Sequence, residues 1–212
     1  GLQWCIDNNA DIISFSIGAG SYNGFCDANI VAELVNTAVL HGIFVVAATG
    51  NDNSLNLKAP SCASNVTRVS ATTKQDEIAS FADVNELVDL FAPGADINTK
   101  TIGGSYTTKS GTSMSTPMVS GSASLLLENE TLTPEQLKYR FRSTGKPITY
   151  ALDLLTLINI SRIDVYNAVI NNVTMIPYSY SGNQSETNET NQTYVTLTNC
   201  GVSTKGGSGR TC

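Results

Sequence analysis

The residue in this chain best placed to do chemistry is Ser113. It stands in Gly111-Thr112-Ser113-Met114-Ser115-Thr116-Pro117, between a polar, glycine-rich stretch (101–109) and an apolar run (118–127). Loop followed by helix puts Ser113 at a helix N-terminus. Its hydroxyl then lies beside backbone N–H groups with no intrahelical acceptor, at the positive end of the helix dipole. Both favour negative charge on oxygen, which is what a nucleophilic serine requires. A plainer role exists for the triplet Gly-Thr-Ser: Thr112 or Ser113 could simply cap the first turn. Two features go beyond a cap. Pro117 has no N–H for the carbonyl of Ser113. Small residues follow (Ser120, Gly121, Ser122, Ala123), as in a helix pressed against a sheet.

The elements that must position Ser113 read as strand–helix alternation. Residues 11–17 and 43–48 are apolar, strand-length runs, and 29–41 between them has helical spacing. Together they form one right-handed crossover unit. A helix is predicted from Ser113 to about Leu127, through the centre of the domain. Another starts at Thr133-Pro134-Glu135-Gln136, with a capping residue, proline at the first position and an early acid. The predicted class is α/β: a mostly parallel sheet flanked by helices on both faces, with a polar C-terminal tail.

The heptapeptide resembles the nucleophile motif of the subtilisin-like serine proteases, Gly-Thr-Ser-(Met or Ala)-(Ala or Ser)-x-Pro, at every defined position. Other stretches are similar to the same family in the same order. Asp11 to Gly18 resembles the buried strand whose Ser-x-Gly end, here Ser16, Ile17 and Gly18, pairs with an extended substrate. Ala47-Ala48-Thr49-Gly50-Asn51 resembles the segment whose asparagine donates to the oxyanion and whose small residues, here Ala48, Thr49 and Gly50, wall the specificity pocket. Read from its neighbours alone, Asn51 is a turn residue in Gly-Asn-Asp-Asn. Pro60 matches a proline that follows a cis bond in the family. Ser80-Phe81-Ala82 and 88–94 look like a strand pair, and 163–169 like the final helix. The resemblance covers residues 1–171 and leaves 172–212 as the tail.

The resemblance implies a serine endopeptidase acting on polypeptides, but a serine nucleophile needs a general base and an orienting carboxylate. The family's Asp-x-Gly and His-Gly-x-His motifs precede the substrate strand, which begins here at residue 11. The one histidine, His41, follows a helical pattern and precedes Gly42. A histidine in a last helical turn is favoured by the dipole, and glycine is a natural stop. The expectation is therefore the C-terminal half of a catalytic domain, inactive alone, with Asp and His in a missing N-terminal half. The alternative is a non-catalytic secreted or surface pseudoprotease that binds peptides or proteins on the same scaffold.

Composition narrows the setting. Of 212 residues, 41% are hydrophobic and 14% charged, and the net charge is −6 without a Lys/Arg run, which argues against nucleic acid as a partner. No apolar stretch reaches the length of a transmembrane helix. The five cysteines (Cys5, Cys26, Cys62, Cys200, Cys212) lack metal-ligand spacing. By resemblance to some secreted relatives Cys26 and Cys62 pair, worth on the order of 3 kcal/mol. Cys200 and Cys212 could close a terminal loop, and Cys5 reads as a buried free thiol. Sequons at Asn183, Asn188 and Asn191 crowd the polar tail, and others fall at Asn65, Asn129, Asn159 and Asn172. With the cysteines they point to a secreted, extracellular or lumenal glycoprotein. Residues 194–198 read as one short strand. No cofactor is required. Structural calcium is compatible with the resemblance, with Asp52, Asn53 and Asp76 as candidate donors, but no loop has a complete ligand pattern and no metal site is assigned.

Overall fold

The computed structural model describes residues 1–152 and 155–171. In chain order these form α1 (Leu2–Asp7), β1 (Ile12–Phe15), β2 (Ala19–Tyr22), α2 (Ile30–Leu40), β3 (Phe44–Ala48), β4 (Leu57–Ala59) and β5 (Thr67–Thr72). There follow β6 (Leu90–Pro93), β7 (Ile97–Lys100), β8 (Tyr106–Lys109), α3 (Thr112–Leu127), α4 (Pro134–Thr144), β9 (Lys146–Ala151), β10 (Leu157–Arg162) and α5 (Val165–Ile170). The predictions that fall on 172–212 (the tail, its four sequons, the strand at 194–198 and the Cys200–Cys212 loop) lie outside the described residues.

Six strands make one sheet in the order β1-β3-β5-β6-β10-β9. All neighbours are parallel except the antiparallel hairpin β9–β10. All five residues of β3 and all six of β5 are buried. That follows from a parallel sheet covered on both faces, and it explains why β3 reads as a continuous apolar run. Alternation along β3 divides the core. Val45 and Ala47 face the cluster that holds Ala32, Val35 and Ala38 of α2. Phe44 and Val46 face the cluster that holds Val119, Ala123 and Leu126 of α3 and Leu137 and Phe141 of α4. Helices on both faces of a mostly parallel sheet are the predicted class.

Local chemistry places the helix ends. Asn29 caps α2 by accepting from the Val31 N–H, 2.9 Å, and Gly42, at φ 85°, ends it. Thr133 and Gln136 form a reciprocal capping box at α4, and Asp164 accepts from the Asn167 N–H at α5. Cys26 and Cys62 are disulfide-bonded, with Cα atoms 5.3 Å apart, and the Ala59-Pro60 bond is cis.

Some expectations need correction. β1 is four residues long, and only Ile13 in it is buried, because among the described residues it has no neighbour on its outer side. Ser80-Phe81-Ala82 is not a strand. The chain turns there after a single bridge between Thr72 and Ile78. Cys5 is a free thiol but only half-buried, since α1 is short and has no fully buried residue. The hairpins β7–β8 and β9–β10 were not read from the sequence. Their strands are largely exposed or half-buried and give weak alternation.

Three ion pairs, centred on two carboxylates, tie the sheet and make testable contributions. Arg68 of β5 is 3% exposed and lies 2.9 Å from Asp89, itself 7% exposed. Removing the acid leaves a buried guanidinium without its counter-charge. Asp89→Ala is expected to cost about 3–5 kcal/mol, read as a lower urea midpoint at unchanged slope. Asp76 accepts from Lys146 Nζ at 2.6 Å and Arg162 Nε at 2.7 Å. The hydrogen bond from Lys146, then that from Arg162, hold its carboxyl below the usual range despite partial burial. A depressed folded pKa adds stability that is complete above the unfolded value of about 3.9 and is lost as pH falls through the folded one. Asp76→Asn should therefore lower Tm at pH 7 and leave it unchanged near pH 2.

Candidate active site

The site forms where three chain segments meet: the coil after β1, the turn after β3, and the first turn of α3. Pro117 sets the first contact. It offers no N–H to the Ser113 carbonyl, and that carbonyl instead accepts from Ser16 Oγ, 3.2 Å. The exchange is mutual, because Ser113 Oγ donates to the Ser16 carbonyl, 2.8 Å. Ser113 is half-buried and stands in the first turn, where its N–H has no acceptor within the helix.

Asn51 is held from the same helix end. Its Oδ1 accepts from the Thr112 N–H at 2.9 Å and from Thr112 Oγ1 at 3.0 Å. A backbone N–H can only donate, so the amide oxygen must face Thr112 and Nδ2 is turned the other way. Gly111, at φ 156°, eases this approach. A Cβ there would come 3.3 Å from Asn51 Nδ2.

The turn that carries Asn51 is clamped from behind by Asp83, which is fully buried. Asp83 Oδ1 accepts from the N–H groups of Asp52 (2.8 Å) and Ser54 (2.9 Å). The Asp83 N–H donates to the Gly50 carbonyl, 3.1 Å. Burial pushes the Asp83 carboxyl pKa up, and the bonds from Ser54 and Asp52 oppose the shift. Gly50 is required for this packing. It sits at φ 128°, and a Cβ would fall 2.0 Å from Asp83 Oδ2. Sequence reasoning missed Asp83. Its only signal was a carboxylate in an otherwise apolar segment, Phe81-Ala82-Asp83-Val84.

The structure thus brings together Ser113, Asn51, Ser16 and Gly50. Ile17, 72% exposed, and Gly18 continue the open coil beyond Ser16. The side chains of Ala48 and Thr49 are covered, so these two can offer a ligand only main chain. His41 is not part of the cluster. It is exposed at the C-terminus of α2, where Nδ1 donates to the Thr37 carbonyl, 2.8 Å. Two of the three calcium candidates are engaged in ion pairs: Asp52 with Lys58, and Asp76 with Lys146 and Arg162. The described residues contain no group of three or more His, Cys, Asp or Glu that could hold one. None of the described helices is long and apolar enough to cross a membrane.

A serine in the first turn of a helix packed on a mostly parallel sheet, with an asparagine amide locked to that turn by the preceding threonine, is the architecture of the subtilisin-like α/β class. The chain belongs to the subtilase family, whose model matches residues 1–174. It is similar to subtilisin NAT of Bacillus subtilis subsp. natto, with 36% identity over 150 residues, covering 68% of this chain and 38% of that protein. It is also similar to the minor extracellular protease Epr of Bacillus subtilis, with 36% identity over 131 residues, 61% of this chain and 20% of that one. Among solved structures it matches a cold-adapted subtilisin-like serine proteinase, with 35% identity and a TM-score of 0.60, over 68% of this chain and 52% of that one. The chain thus spans well under half the length of these two relatives.

Proposed function

We propose that this chain is the C-terminal part of a serine endopeptidase that hydrolyses polypeptides through an acyl-enzyme. The observation that carries the reading is the Asn51–Thr112 lock, which fixes the Asn51 amide at the first turn of the helix that carries Ser113, with Nδ2 turned from Thr112. In this reading Ser113 Oγ attacks the peptide carbonyl carbon, and its proton passes to an imidazole. The carbonyl electrons move onto oxygen, where the Ser113 N–H and Asn51 Nδ2 receive them. Collapse expels the amine, which takes the proton, and water repeats the sequence on the ester. Ser16, Ile17 and Gly18 hydrogen-bond the substrate backbone.

The imidazole and its carboxylate come from an N-terminal half of the same domain. Two observations support this. His41 is committed to its own helix, and β1 has an unpaired outer edge among the described residues, ready for a further strand. The Ser113 hydroxyl at present donates to the Ser16 carbonyl, and an incoming imidazole takes over that proton. A binding protein without catalysis has no use for an amide fixed in this orientation. The full-length protein is expected to hydrolyse casein and short peptide anilides. A folded full-length protein that cleaves neither would overturn the reading.

The compartment proposed is extracellular or lumenal, supported by the Cys26–Cys62 bond and by exposed sequon asparagines at 65, 129 and 159. Protein made in a glycosylating host should lose mass in whole-glycan steps on treatment with a peptide N-glycosidase.

A further inference from the structure

Lys58 lies where the substrate side chain should go. It is the middle residue of β4, between Leu57 and Ala59, whose side chains are buried. Strand alternation turns Lys58 to the opposite face, into the gap between the two segments assigned above to substrate binding. A Cβ on Gly18 would fall 2.6 Å from Lys58 Cβ and 3.3 Å from its Cγ. A Cβ on Gly50 would fall 3.0 Å from the same Cγ. The Lys58 N–H donates to the Thr49 carbonyl, 3.2 Å. The aliphatic stem is thus packed between Gly18 and Gly50, and the side chain is 23% exposed. At its end Nζ pairs with Asp52 Oδ2, on a carboxylate that is 61% exposed.

We propose that Lys58 is the floor of the specificity pocket and selects an acidic side chain at the residue whose carbonyl Ser113 attacks. The proposal rests on the peptidase reading. The walls at 48–50 are small and uncharged and by themselves suit an apolar or uncharged side chain, but a lysine floor changes the balance. An apolar side chain would strip water from an ammonium and give nothing in return. A basic side chain would meet a like charge. A carboxylate can take the place of Asp52, because an ion pair with a largely exposed partner holds only weakly. The substrate carboxylate, covered by the pocket walls, makes the stronger pair. Asp83, also near Lys58, attracts the ammonium through space, whereas Asp52 holds it by a direct ion pair. Its Oδ1 is occupied by two backbone N–H groups, and it sits behind Gly50.

The test compares the full-length protein on peptide anilides ending in Glu, in its uncharged isostere Gln, in Met and in Lys. Glu should exceed Gln by about tenfold or more in kcat/KM, and the ratio should shrink in high salt. Lys58→Met should bring the ratio to one or below. Asp52→Asn, at an exposed site, should raise it by freeing the ammonium. Equal cleavage of Glu and Gln by the wild-type protein, or a ratio unmoved by Lys58→Met, overturns the proposal even while the peptidase reading stands. Labelling by a fluorophosphonate separates the two failures: protein that neither labels at Ser113 nor cleaves any of the four overturns both.

Discussion

Ser113→Ala in the full-length protein will abolish peptide hydrolysis, with kcat falling by about 10⁴- to 10⁶-fold, the upper end being the scale set by the nucleophile of subtilisin itself. No other hydroxyl takes over. Thr112 Oγ1 is engaged with Asn51 and Gly50, and Ser115 Oγ points into the core, donating to the Ala92 carbonyl at 2.9 Å. The fold should survive the change. The Ser113 hydroxyl makes one hydrogen bond, to the Ser16 carbonyl, worth about 1 kcal/mol. The second contact between the segments, from Ser16 Oγ to the Ser113 carbonyl, is kept. The measurement is therefore a progress curve on a peptide anilide alongside a thermal melt. A loss of activity with Tm almost unchanged is the expected pair of results. Substantial residual turnover would move the nucleophile elsewhere.

Asn51→Ala should lower kcat by about 100- to 1000-fold with little change in KM, because the donor acts on charge that exists only in the transition state. Alanine also removes the acceptor for the Thr112 N–H and hydroxyl, so part of its effect could be loosening of the α3 N-terminus. Asn51→Asp separates the two. It keeps an oxygen for Thr112, removes the Nδ2 donor and adds a charge where the oxyanion forms. Its Tm should stay close to wild type while kcat falls at least as far as in the alanine variant. If both variants reduced kcat only in step with their melting temperatures, Asn51 would be a structural residue of the turn and no more.

Much of this was legible from residue types. The α3 boundaries could be read because glycine, a short polar pair and a proline bracket the helix start, and α4 because Thr-Pro-Glu-Gln is complete capping chemistry. β3 was visible as an apolar run because both its faces are covered. The edges were harder. β1 is half-exposed, so its pattern ran on to residue 17 while the strand stops at Phe15. Ser80-Phe81-Ala82 has strand-like composition, yet the chain turns there so that Asp83 can reach the backbone of residues 50, 52 and 54.

At the site, the identities of Ser113 and Asn51 came from motif resemblance, but their coupling through Thr112 did not. It depends on residues 61 positions apart. Asp83 and Lys58 were missed for a similar reason. Each looks like an ordinary polar residue locally, and its meaning comes from a glycine brought beside it: Gly50 beside Asp83, Gly18 and Gly50 beside Lys58. The Cys26–Cys62 bridge and the cis Ala59-Pro60 bond were expected only by resemblance, and both are present. No periodicity could have supplied either.

The central claim is that Ser113 is an activated nucleophile once the domain is complete. Treating the full-length protein with a fluorophosphonate and mapping the adduct by peptide mass spectrometry tests it most directly. The account predicts one stoichiometric adduct on the Ser113 hydroxyl, absent after denaturation and absent from Ser113→Ala. A folded, full-length protein that stays unlabelled, or that carries its adduct on a different serine, would contradict it.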